Sequence, residues 1–219
     1  MGMFKPSMYK KSIFDIDYKK LQEQGITCLV FDLDNTLGLI SHKKCPRKTK
    51  MLLRKLQEDF LILISSNNTR SRLKPYLKDI GVEGVSWSMK PTTRGLRKIK
   101  KNYNLTKKEM CIIGDQIITD ILCGNRFKIK TILVDPIGGE DLKITKITRI
   151  FENYIIKKYE KKGIFERGKY YEWWEAMFRM WSPPTRWKCS SRRIYNKYRK
   201  WLVSKMFSYE KLWRVSSCY

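Results

Sequence analysis

Apolar residues along this chain come in short, nearly unbroken runs rather than in strict alternation. The runs are GITCLVF (25–31), FLILI (60–64), VEGVSW (82–87), EMCIIG (109–114) and IKTILV (129–134). Between them the spacing becomes helical. Thr49, Leu52, Leu53 and Leu56 share one face, Leu73, Tyr76, Leu77 and Ile80 a second, and Leu96, Ile99 and Tyr103 a third. Short apolar runs fit strands buried on both faces, and the helices between them are the crossovers that a parallel sheet requires. The pattern predicts an α/β fold, a parallel sheet flanked by helices with right-handed connections. Thr106 with Glu109 predicts a capping turn before the fourth run. After Pro136, Ile144, Ile147, Phe151, Tyr154 and Ile155 predict an amphipathic helix reaching toward Lys162, with that face packed on the core.

In an open sheet of this class, ligands gather beyond the carboxyl ends of the strands. The residues at those ends are polar. Asp32 closes the first run, with Asp34, Asn35 and Thr36 behind it; Ser65 closes the second, and Asn67 follows. Lys90 follows the third run and precedes Pro91, whose fixed φ suits the first turn of a helix. Asp115 closes the fourth, with Asp120 five residues on. Taken singly, each of these is an ordinary turn residue. Together they bring carboxylates, a hydroxyl and an ammonium group to one edge.

Phosphoryl transfer fits that set. Asp32 is placed to attack phosphorus and form an acyl phosphate, and Asp34 to protonate the leaving alkoxide and then deprotonate water. A hard divalent cation such as Mg2+ would bridge carboxylate and phosphate oxygens, with Asp115 completing its site and Asp120 in support. Ser65 and Lys90 would bind the phosphoryl oxygens. His42, in SHKKCPRK, reads as an exposed loop residue, and Gly114 and Gly124 read as packing or turn glycines.

The strings FDLDNTL (31–37), ISSNN (64–68), KP (90–91), GDQIITD with CGNR (114–126) and TILVDP (131–136) carry a resemblance. The chain resembles the haloacid-dehalogenase superfamily, and within it the YqeG-like subclass IIIA phosphatases, which are related to phosphatidylglycerophosphate phosphatases. The likeness spans about residues 4–165. It implies a Rossmannoid core and Mg2+-dependent phosphatase chemistry through an aspartyl-phosphate. By position it makes Asp32 the nucleophile and a metal ligand. Asp34 becomes the acid/base residue, lending its carbonyl to the metal, and Asp115 a further metal ligand. Ser65 and Lys90 are the implied phosphate-binding residues, with Asn67 and Asp120 in support. One departure stands out: Ser66 occupies a place where these proteins carry Asn, which bears on substrate contacts more than on the chemistry.

Only about a dozen residues separate the first motif from the next helix, so no large cap domain is expected over the site. An open site suits macromolecular or membrane-borne phosphates. The expected domain spans residues 1–165. The remainder, 166–219, differs: it holds six of the seven tryptophans, and from Lys169 onward twelve Lys or Arg stand against three Glu. Pro183–Pro184 interrupts any helix there, and Ile194, Tyr198, Trp201, Leu202, Met206, Tyr209 and Trp213 follow amphipathic spacing. Such an aromatic, basic segment could lie at an anionic membrane, dock on its own core, or have no packed structure.

The net charge of +26 attracts anions generally and does not choose among phosphate esters, nucleic acid and membrane. No nucleic-acid-binding module accompanies the basic–aromatic composition, which counts against nucleic acid as partner. A non-enzymatic RNA- or membrane-binding protein on a phosphatase-like scaffold is the competing class, and a phosphatase of a soluble sugar, nucleotide or protein phosphate the competing activity. The six cysteines are dispersed and the chain has one histidine, so a Cys/His zinc site is not supported. Buried thiols at Cys28 and Cys111 suit a reducing compartment. With no secretory signal and no long apolar run, the expected location is cytoplasmic, with peripheral contact at the inner membrane face as a variant. Oligomeric state is not legible.

Overall fold

The computed structural model describes residues 2–42, 44–138, 143–163 and 165–172. Its strands are β1 (Met8–Lys10), β2 (Cys28–Phe31), β3 (Leu61–Ser65), β4 (Glu83–Val85), β5 (Met110–Gly114) and β6 (Lys130–Val134). The helices are α1 (Tyr18–Glu23), α2 (Arg47–Leu56), α3 (Arg70–Ile80), α4 (Arg94–Asn102), α5 (Leu122–Phe127) and α6 (Lys143–Lys161). Every pair of neighbouring strands is parallel, in the order β1-β6-β5-β2-β3-β4.

The five apolar runs are β2 to β6. Alternate residues of each strand feed opposite cores. Leu29, Phe31, Ile62, Ile64 and Ile113 pack with Leu53, Leu56, Leu73, Tyr76 and Ile80 of α2 and α3. Cys28, Val30, Leu63 and Ile112 pack with Leu96, Ile99 and Phe127 on the other face. A two-sided core explains why these strands read as continuous apolar runs. It is also costly to perforate: truncating a residue such as Leu29 to Ala should cost about 2–5 kcal/mol.

Three expectations need correction. Trp87 ends the third run in sequence, but β4 stops at Val85 and Trp87 stands exposed in the following loop. Pro91 does not open a helix; α4 begins at Arg94, after Thr93 as N-cap. On α6 the described part of the expected apolar face is not buried as a whole: Phe151 and Tyr154 are exposed and Ile155 half-buried, while Glu152 and Ile156 are buried, and the side chains of Ile144 and Ile147 lie outside the described residues. The reason is polar, since Glu152 Oε1 accepts the Ile117 N–H and so fixes the rotation of the helix.

One strand was not expected. β1 has only three residues, the last of them Lys10 with Lys11 beyond it, yet it completes the sheet beside β6. Its outer edge is closed by Tyr171, which exchanges two backbone hydrogen bonds with Tyr9. Tyr171 Oη also donates to the Pro6 carbonyl, and Lys10 pairs with Glu172. Residues as far as Glu172 thus pack with the sheet, past the boundary expected at 165. The tryptophan-rich segment from Trp173 onward lies outside the described residues.

β2 is the topological pivot. The chain leaves it toward β3 and β4 on one side and returns to β5 and β6 on the other, so β2 bonds to both β3 and β5. Phe31 is in register with Ile64 and Ile113, which puts Asp32, Ser65 and Asp115 at one crevice. Among the described residues the connection from β2 to α2 holds turns and the isolated Asp34–Gly38 bridge, and the one from β3 to α3 holds only bends. No cap domain covers this edge among the described residues.

Candidate active site

Asp32 follows β2 directly, and its N–H continues the ladder to the Ile113 carbonyl at 2.8 Å. Its side chain meets Lys90 from the loop after β4. Lys90 Nζ donates to Asp32 Oδ1, to Asp120 Oδ1 at 2.7 Å and to the Ser65 carbonyl at 2.8 Å. The lysine side chain is only 3% exposed and that of Asp120 1%. A buried ammonium group with three acceptors is fully committed. It ties the ends of β2 and β3 to the turn after β5.

That turn is a π-helical segment, Ile117–Ile121. Asp120 Oδ2 accepts the Gln116 N–H at 3.2 Å, which folds the side chain back over the end of β5. Gly114 makes room for it: a Cβ there would lie 2.3 Å from Asp120 Cγ. Asp115 is fully buried and accepts from Thr36 Oγ1 at 3.2 Å. One carboxylate oxygen from each of Asp32, Asp115 and Asp120 falls within a span of 4.8 Å.

The electrostatics of this group are unfavourable as they stand. Burial pushes Asp32 well above the usual carboxylate range; Lys90 opposes that, and Asp120 and Asp115 reinforce it. Burial also works against the Lys90 charge, but Asp120 and Asp32 outweigh it and leave the lysine above its ordinary value. Crowded, buried, all-oxygen donors with a surplus of negative charge fit a hard divalent cation. The three carboxylates therefore form a candidate cation site.

The expected phosphate-binding residues stand beside these carboxylates. Ser65 Oγ is buried and has no hydrogen-bond partner, although the adjacent Ser65 carbonyl is held by Lys90. A buried hydroxyl without a partner carries a desolvation cost that a bound oxyanion would remove. Asn67 acts at one remove. Its Oδ1 accepts from Lys90 N at 2.8 Å and Ser88 Oγ at 2.9 Å, and its Nδ2 donates to the Lys90 carbonyl at 2.9 Å. Ser66, the departure in the motif, is buried and structural: its Oγ accepts the Asn68 N–H at 3.0 Å.

Asp34 stands somewhat apart from the carboxylate group. Its Oδ1 accepts from Arg72 Nη2 at 2.9 Å and its Oδ2 from Asn68 Nδ2 at 2.8 Å. Arg72 also donates to the carbonyls of Leu39 and His42, so one guanidinium group fastens Asp34 to the loop behind it. The expected site residues include Asn67 but give no role to Asn68, although it stands inside ISSNN, or to Arg72. A signal existed: Arg72 lies in the first turn of α3, where the helix dipole disfavours a cation, so the position needed another reason. His42 is exposed, as expected, and offers only its backbone. Gly124 is a packing glycine, since a Cβ would lie 2.4 Å from Thr131 Cγ2.

Known families match the stretches of chain that supply these residues. The haloacid dehalogenase-like hydrolase model matches residues 29–89, and the HAD-hydrolase-like model matches residues 88–140. The probable phosphatase YqeG of Bacillus subtilis is 32% identical over 161 residues, covering 73% of this chain and 94% of its own. Phosphatidylglycerophosphate phosphatase 1 of Arabidopsis thaliana is 25% identical, with 73% of this chain and 49% of its own length covered. The Chlamydomonas reinhardtii protein of that name is 24% identical, over 69% of this chain and 61% of its own. This chain therefore spans about half to three-fifths of the plant and algal relatives. With its aspartates at the ends of β2 and β5 and a YqeG relative matched almost end to end, the chain belongs to the haloacid dehalogenase-like hydrolases, as a phosphatase of the YqeG-like type.

Proposed function

We propose that the chain is a Mg2+-dependent phosphomonoesterase in which Asp32 is the nucleophile and phosphatidylglycerophosphate the physiological substrate. The observation that carries the mechanism is the meeting of Lys90 Nζ with Asp32, Asp120 and the Ser65 carbonyl, beside the unpartnered Ser65 hydroxyl.

Lys90 holds Asp32 Oδ1, so the second carboxylate oxygen attacks phosphorus, and the ester P–O bond breaks as the acyl phosphate forms. Asp34 carries the proton that goes to the leaving alkoxide, then takes one from the water that opens the acyl phosphate. Arg72 and Asn68 keep its carboxyl in one orientation for both transfers. Ser65 donates to the phosphoryl oxygens, where charge develops, and Lys90, whose three protons go to Asp32, Asp120 and the Ser65 carbonyl, adds positive charge beside them. Asp32, Asp115 and the Asp34 carbonyl would hold Mg2+, with Asp120 in support. When bound, the ion neutralises phosphate charge and offsets the crowding of the carboxylates.

Two points support a lipid phosphate. The plant and algal relatives bear that activity in their names, and the site is open, with no cap among the described residues. The test is a competition between phosphatidylglycerophosphate in anionic vesicles and soluble phosphate esters, using the full chain with Mg2+. The reading predicts a larger kcat/KM for the lipid. A soluble ester that is strongly preferred, with the lipid refused, would show that the substrate is wrong.

A further inference from the structure

Between β4 and α4 the backbone adopts an unfavourable conformation. Trp87 (φ 51°) and Met89 (φ 55°) both lie in the left-handed region, which residues bearing a Cβ enter at a cost. No burial offsets that cost, because Trp87 is 64% and Met89 51% exposed. Ser88 between them is buried and turned inward, its Oγ donating to Asn67. Its two neighbours are left outside.

The loop is bound to the site at both ends. Trp87 N–H donates to the Asn68 carbonyl at 3.1 Å, and Asn68 Nδ2 reaches Asp34. Met89 immediately precedes Lys90, which holds Asp32. The segment that places the lysine therefore presents a tryptophan and a methionine to solvent, next in sequence to Lys90 and hydrogen-bonded to the residue that holds Asp34. Cations flank it. The exposed Arg94 brings Nη1 to 3.8 Å from Met89 Sδ, and the exposed Arg126 donates to the Pro91 carbonyl at 3.5 Å.

We infer that the Trp87–Met89 loop is an interfacial anchor for an anionic bilayer. Its two apolar side chains enter the interface while Arg94 and Arg126 meet the headgroups, which seats the crevice over a phosphomonoester carried by a lipid. Tryptophan combines a large apolar ring with a polar N–H, and methionine adapts to an irregular surface. Arginines beside them add attraction to anionic headgroups that salt weakens. A single-stranded RNA would use the ring by stacking but would gain little from Met89. The inference rests on the lipid-phosphate reading above and adds the residues that engage the surface.

The experiment compares the full chain with Trp87→Gly and with a Trp87→Ser/Met89→Ser double variant. Sedimentation measures binding to phosphatidylglycerol–phosphatidylcholine vesicles and to phosphatidylcholine alone. Turnover is followed on phosphatidylglycerophosphate in the anionic vesicles and on a soluble aryl phosphate. Glycine accepts a positive φ, so Trp87→Gly removes the ring without straining the loop. The anchor predicts salt-sensitive binding to anionic vesicles only, weakened about tenfold or more by Trp87→Gly and further by the double change. Vesicle turnover should fall with it, while soluble-ester turnover holds and Tm does not fall. Unchanged vesicle affinity in both variants overturns the anchor, and so does soluble-ester turnover that falls in parallel. RNA binding lost in Trp87→Gly, with no vesicle binding by the wild type, also overturns it. A wild type that refuses the lipid yet binds vesicles through Trp87 contradicts the substrate reading and upholds the anchor.

Discussion

Two lysine–aspartate pairs in this protein share the same chemistry and have opposite consequences. Lys50 Nζ meets Asp79 at 2.6 Å between α2 and α3, with both side chains about a quarter exposed. There the hydrogen bond from Lys50 holds the Asp79 carboxyl below its usual range. Lys90 meets Asp32 at the strand ends, buried, and Asp32 is pushed up instead. The difference lies in burial and company. Asp79 is partly exposed and has Lys50 and Lys44 near it, whereas Asp32 has a largely buried position and two further carboxylates. One pair is content as it stands. The other is assembled at an electrostatic cost, which a bound divalent cation would offset.

Breaking each pair should expose the contrast. Lys90→Met should lower kcat/KM by ~10^2–10^3-fold, as removal of a positioned charge at a phosphoryl group does. It should also destabilise the fold by about 3 kcal/mol, because it leaves Asp32 and Asp120 facing each other in a buried site. Denaturant melts with and without Mg2+ check this: the ion should recover part of the loss in the variant. A Lys90→Met protein as stable as wild type would mean that the crevice is not electrostatically crowded.

Ser65→Ala separates substrate binding from stability. The hydroxyl is buried without a partner, so its removal should not lower Tm and should raise it slightly. The same change should lower kcat/KM by ~10-fold or more, if the group meets the phosphoryl oxygens. A fall in Tm without a change in kinetics would make Ser65 a packing residue.

Asp79→Asn is the smallest effect. At pH 7 it should cost no more than about 1 kcal/mol and leave turnover intact. The sign of its pH dependence follows from the lowered carboxyl. The contribution is present above the unfolded value near ~3.9 and disappears as pH falls through the lower folded value. Denaturant melts of wild type and variant should therefore differ at pH 7 and converge below about pH 4.

The same contrast explains what could be read from the chain. β2, β3 and β5 were legible because burial on both faces leaves an apolar run, and the carboxylates at their ends were legible because they interrupt it. β1 was not, since three residues ending on Lys10 carry no period and the strand is fixed by pairing with β6 and Tyr171. The rotation of α6 was misread because hydrophobicity ranks Phe151 above Glu152, while the Ile117 N–H needs an acceptor. Of the site, Asp32, Ser65, Lys90, Asp115 and Asp120 meet where strand order places them. Asn68 and Arg72 escaped notice because their part is to hold Asp34, through contacts that no linear spacing announces.

The central claim is covalent chemistry at Asp32, and it has a direct measurement. Full-length protein with Mg2+ is mixed with a phosphate ester, quenched in acid during turnover, digested and mapped by mass spectrometry. The account predicts phosphate on the peptide carrying Asp32, no such adduct when Mg2+ is removed beforehand, and neither adduct nor turnover in Asp32→Asn. Phosphate on a different residue, or Asp32→Asn turning over at the wild-type rate, would contradict it.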